Sequence, residues 1–214
     1  KPIDSSGSKG VSLLMDINQI EDAFIYAINS SKNRLVIVEE FLEGIEYSVE
    51  AWESNNKIHI LAISEKERTK PPYLLDKKVH FPPKISVSTQ NEIKQLAIEA
   101  IRACKYKECP VHLECILSKN GPIVVELSAR GAGFKVFSEI LPMLSGLCTA
   151  KVSIEKALGY KPEIITKKTG LSCSIGFIDP KPGKLVSING LKEAKNIEGI
   201  REIMIYKKTG STLK

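Results

Sequence analysis

The chain predicts an α+β fold, an antiparallel sheet with flanking helices. Three observations carry that prediction. Residues 112–130, HLECILSKNGPIVVELSAR, alternate apolar and polar side chains on both sides of the turn triplet Lys119-Asn120-Gly121, the pattern of a hairpin. Residues 45–64 alternate in the same way around Ser54-Asn55-Asn56. Between these β segments, residues 89–106 put Ile93, Leu96, Ala97, Ala100, Ile101 and Cys104 on one stripe at helical spacing.

The elements follow in order. Residues 1–11, KPIDSSGSKGV, form a small-residue loop in which Gly7 and Gly10 let backbone N–H groups converge on an anion, with Ser6, Ser8, Lys1 and Lys9 adding donors and charge. Asp16 caps a helix over residues 17–30, with Gln19 at the capping-box position and Ile17, Ile20, Ala23, Phe24, Ala27 and Ile28 as its core stripe. The apolar run Leu35 to Val38 reads as a buried strand ending in Glu39-Glu40-Phe41-Leu42 and a turn at Gly44. In the next strand Glu46, Ser48, Glu50 and Trp52 share one face and Tyr47, Val49 and Ala51 the other, so its acids suit a wet side. A strand from Ile58 to Ser64 completes this meander. Residues 65–87, charged and proline-rich, predict a long ordered loop or lid. Beyond the 112–130 hairpin, residues 134–158 are helical with a break at Pro142, and residues 163–214 carry short β-like runs between Gly and Pro signals.

In the central hairpin, register decides the chemistry. A two-residue Asn-Gly loop would pair Glu114 with Leu127, on opposite faces, whereas a three-residue loop with Gly121 left-handed sets Glu114 across from Glu126. The second register is expected, with Ile123, Val125 and Leu127 facing the core. Two carboxylates roughly 5 Å apart repel by about 3 kcal/mol at an effective dielectric near 20, so a cation is expected to offset them. Oxygen donors suit Mg²⁺.

Composition narrows the class. A 43% hydrophobic content supports a packed core, and the formal net charge of +6 is spread along the chain, which favours small anionic ligands such as nucleotides over nucleic acid. The five cysteines lack metal-ligand spacing and leave an odd thiol, pointing to a reducing, cytoplasmic compartment. No apolar run is long enough to span a membrane. The Lys1-Pro2 opening reads as the interior of a longer chain.

Four segments in order, Lys1-Pro2 with SSGSKGV, EEFLEGIEYSVE, HLE and VELSARGAG, resemble the ATP-grasp ligases, in the branch of L-amino-acid ligases and carbamoyl-phosphate synthetases. The resemblance implies a glycine-loop lid over residues 1–42, a core with the metal-binding hairpin over 43–162, and a β-rich extension over 163–214. It implies ATP with Mg²⁺ or Mn²⁺ as cofactors. Lys1, Ser6, Gly7 and Ser8 would face the phosphates, Glu39, Glu40, Phe41 and Leu42 the adenine, and Glu46 the ribose. Glu114, Glu126 and Ser128 would hold metal, and Arg130 would steady the transferring phosphoryl group. His80 matches a substrate-amine residue, although Lys77 stands where that motif has glutamate, and Ser128 replaces the usual asparagine. The implied activity is ATP-dependent carboxylate-amine ligation through an acyl phosphate. The alternatives are a carboxylase or carbamoyl-phosphate-synthetase-like reaction, or a nucleotide-binding fragment inactive by itself. Partners are a small carboxylate and an amine, amino acids among them, with a homodimer open as an assembly.

Overall fold

A computed structural model of the chain describes residues 1–70, 74–178 and 180–213. It divides into two units, residues 1–177 and 178–214. The first is built on a six-stranded antiparallel sheet in the order β5-β4-β1-β2-β3-β6. Its strands are β1 (Ile45–Ser54), β2 (Lys57–Arg68), β3 (Asp76–Phe81), β4 (Cys109–Ser118), β5 (Gly121–Ser128) and β6 (Cys173–Gly176).

The two-residue period of β1 sets the layers. Tyr47, Val49 and Ala51 face helix α2 (Val87–Ala103), where Ile93, Ala97 and Ile101 are buried against Ile63, Leu113, Cys115 and Val111. Ser86 caps α2, its hydroxyl accepting from Thr89 N–H at 3.1 Å. The amphipathic stripe therefore packs as expected, except that Cys104 lies beyond the helix and is exposed. Trp52, on the opposite face, stacks on Phe137 at 5.9 Å and packs with Leu147, Val152 and Ile164. Val79 and Phe81 meet Val136 and Leu141 on that same side.

Several expectations are corrected. The acids of β1 are not its wet side: Glu46, Glu50 and Glu53 are buried, because both faces of this central strand are covered. Residues 65–87 are not one loop, since 65–68 continue β2 and 76–81 form β3, while Pro71, Pro72 and Tyr73 lie outside the described residues. The run Leu35 to Val38 is no buried strand. Val36 makes only an isolated bridge to Pro2, and Val38 is 81% exposed. The first helix has its predicted capping box, with a 3-10 turn (Ile17–Gln19) leading into α1 (Ile20–Ser30). Its stripe is not core, however, and only Ala27 is buried. The break after the sheet falls at Gly146 (φ 70°), between α3 (Leu141–Ser145) and α4 (Thr149–Ala157). Pro142 sits instead within a continuous helical run, in the first turn of α3 directly after the π-helical turn Val136–Ile140.

The second unit carries a small β7 (Gly183–Lys184) and β8 (Thr212–Leu213) pair and a short helix α5 (Leu191–Lys195).

Candidate functional site

Glu114 and Glu126 are direct partners across β4 and β5. The route to that register differs from the expected one. Ser118 pairs with Gly121, so the loop is only Lys119-Asn120, and a bulge after the Cys115–Val124 pair leaves Val125 as the extra residue. Val124 and Leu127 consequently pack on the core, and Ile123 is exposed. The bulge restores the alignment that a three-residue loop would have given.

Beside this pair lies a polar row built by the same alternation. Glu114 is level with Ser48 on β1, and Ser48 with Ser64 on β2. One rung along, Glu46 pairs with Lys66, and on the other side Glu50 pairs with His112, which is level with Ser128. Lys66 Nζ donates to Glu46 Oε1 at 2.7 Å and to Glu114 Oε1, and lies 3.6 Å from Asp76. Arg68 donates to the other oxygen of Glu46. His112 Nδ1 is 2.6 Å from Glu50, and its Nε2 is 3.5 Å from Glu114. The hydroxyls of Ser48 and Ser64 and one oxygen of Glu50 are buried without a hydrogen-bond partner among the described residues.

These contacts fix the charges. Burial would raise Glu114, but the His112 hydrogen bond and the Lys66 charge outweigh it and hold the carboxyl at about 2. Burial would likewise lower His112, yet hydrogen bonds to Glu114 and Glu50 lift it to about 9. Lys66 is raised despite its burial by Glu114, Glu46 and Asp76, and so stays cationic.

A pH dependence follows, with opposite signs for the two groups. His112, raised from 6.5, contributes stability that is complete below about pH 6.5 and lost as pH rises through about 9. Glu114, depressed from 4.5, contributes above about pH 4.5 and loses it as pH falls through about 2. The difference in melting temperature between the wild type and His112→Asn should therefore shrink between pH 6.5 and 9. A difference independent of pH over that range would contradict this assignment.

The other predicted residues are placed as follows. Lys1 Nζ contacts Glu39 at 2.5 Å, and Ile37 N–H donates to the Lys1 carbonyl at 2.8 Å, so Lys1 lies alongside residues 39–42. Gly7 and Ser8 adopt positive φ in the turn over residues 7–10, which Ser6 directly precedes. Gly10 is glycine for a packing reason, since a Cβ there would lie 2.6 Å from that of Ser30. Glu126 and Arg130 are exposed, and Arg130 Nη1 donates to the Gly131 carbonyl at 3.0 Å. Glu46 is only 4% exposed with both oxygens engaged, so ribose contact would require it to exchange a partner.

His80 is not brought to this face. It pairs with Glu65, whereas Lys66 pairs with Val79, so the alternation turns His80 to the opposite side. There its ring joins Ser174 at 2.8 Å and Glu67 at 2.9 Å. Lys66, Arg68 and Asp76, none of them expected as site residues, lie together beside Glu46 and Glu114. Their signal was the continuation of the Ser64 alternation into Glu65-Lys66-Glu67-Arg68. Among the described residues no three His, Cys, Asp or Glu side chains converge as a metal site.

The chain belongs to the ATP-grasp domain family, whose sequence profile matches residues 1–138. It is similar to the L-amino acid ligase from Bacillus licheniformis, with 23% identity and a TM-score of 0.82 over 96% of this chain and 53% of that one. Phosphoribosylglycinamide synthetase from Anaerococcus prevotii superposes with a TM-score of 0.66 at 22% identity, over 93% of this chain and 51% of that chain. A phosphoribosylamine-glycine ligase from Listeria innocua is 25% identical over 212 residues, covering 88% of this chain and 50% of that protein. The chain thus spans about half the length of these relatives. Among the described residues no helix is long and apolar enough to cross a membrane.

Proposed function

We propose that the chain forms the nucleotide-binding part of an ATP-dependent carboxylate-amine ligase that works through an acyl phosphate. The observation that carries this reading is the register: Glu114 and Glu126 stand opposite one another beside Lys66 and Arg68. Two adjacent carboxylates, one of them exposed, fit Mg²⁺, which takes one or two protein carboxylates and completes its shell with water and phosphate. Glu114 and Glu126 would hold the ion, with Ser128 beside them; when bound, it supplies positive charge against the ATP phosphates.

The remaining work falls to the chain. The main chain of residues 38–43 makes no backbone hydrogen bond among the described residues, which leaves its N–H and C=O groups for a base edge. Lys1 lies next to that segment, and residues 1–42 act as the lid. Glu46 orients Lys66 and Arg68 toward the acid row. Arg130 steadies the phosphoryl oxygens as a substrate carboxylate attacks the γ-phosphorus and ADP leaves. An amine then attacks the acyl carbon, losing a proton as phosphate departs. The amine role of His80 is not carried forward, because His80 lies on the other face.

The test is ADP release across a panel of amino acids and bicarbonate, measured on the chain and on any longer protein that carries it. Amino-acid-dependent release that Glu126→Gln reduces by about a hundredfold or more is expected. Release with bicarbonate alone would favour a carboxylase-type reaction, and release unaffected by Glu126→Gln would refute the site. A second reading has its own support: because the chain spans about half of its relatives, these 214 residues alone would bind nucleotide without sustained turnover.

A further inference from the structure

One oxygen of Glu114 is held from two sides by side chains of the protein itself. Lys66 Nζ contacts Glu114 Oε1, and His112 Nε2 lies 3.5 Å from the same atom. Lys66 is 7% exposed and is also tied to Glu46. The carboxylates of Glu46, Glu50, Asp76 and Glu114 gather around Lys66, Arg68 and His112. A divalent ion reaching Glu114 would stand a few ångströms from the Lys66 ammonium, and burial strengthens that repulsion. A polyphosphate arriving with the ion would offset it.

We propose that Lys66 is a built-in competitor for Glu114, which keeps divalent metal off this acid until an anion arrives with it. The inference rests on the reading of Glu114 and Glu126 as metal ligands and adds a condition to it: metal alone binds weakly. Lys66 is thus a positioning residue. It holds the Glu114 carboxylate in place and makes metal binding depend on the nucleotide.

Mn²⁺ binding followed by water-proton relaxation on the full chain tests this without any turnover. Removing the charge in Lys66→Met should tighten Mn²⁺ binding in the absence of nucleotide by about tenfold or more, whereas Lys66→Arg should stay near wild type. Lys66→Gln, which keeps a donor but no charge, serves if the methionine variant does not fold. Glu126→Gln placed on either neutral background should abolish the gain. Neutral variants that bind Mn²⁺ no better than wild type, while wild type with ADP binds it in a manner sensitive to Glu126→Gln, would overturn the inference and leave the metal site standing. If no form binds Mn²⁺ in a manner sensitive to Glu126→Gln, the metal-site reading fails and the inference with it.

Discussion

Glu114→Gln should lower the unfolding free energy by about 2–3 kcal/mol, somewhat less than the 3–5 kcal/mol typical of breaking a fully buried ion pair, because the side chain is 18% exposed. The amide removes the charge that faces both Lys66 and His112, which are themselves only 7% and 11% exposed. Lys66 keeps Glu46, and His112 keeps Glu50, so the loss is partial. Glu126→Gln supplies the contrast. That side chain is exposed, and its substitution should stay within about 0.5 kcal/mol of wild type. Both changes should remove metal binding, and only the first should shift the denaturant midpoint. Equal stability of the two variants would show that the Lys66–Glu114–His112 contacts carry no net energy.

Gly44→Ala is expected to be about as costly, roughly 3 kcal/mol, for a backbone reason. Gly44 has φ 152°, and an added Cβ would lie 2.2 Å from the Leu117 carbonyl oxygen and 2.8 Å from the Ile116 side chain. The neighbouring Ile45 pairs with Leu117, so relief of the clash would pull β1 from β4 at the end where Glu46 sits. The damage should appear as faster amide exchange over residues 45–47 and as weaker nucleotide binding through the adjoining 39–42 segment. Exchange and melting temperature indistinguishable from wild type would refute the argument.

The parts of the fold that were legible in the sequence share one physical property: a periodic apolar face that packs on a neighbouring element. Tyr47, Val49 and Ala51 against Glu46, Ser48, Glu50 and Trp52 could be read because α2 covers the first set. The stripe of α2 was legible for the same reason. Exposure was not legible where apolar residues stand without a packed surface, as at Ile17, Phe24 and Val38. A run of apolar side chains specifies the capacity for burial but not what covers it. Nor did charge alone mark the end of β2, since Lys66 and Arg68 lie in a strand and meet buried acids across it. The bulge at Val125 was hidden because Val124 and Val125 are chemically the same residue, and either could have faced the core.

That irregularity has a consequence for how the hairpin tolerates change in length. A short tip with one spare residue in the returning strand aligns the two acids as well as a tip longer by one and no spare. Deleting Val125 would remove the spare residue and leave Glu114 opposite Glu126, because the four pairs nearer the tip keep their partners. What the chain must preserve is the pairing of Glu114 with Glu126, which the spare residue lets it keep through a change of one residue in length.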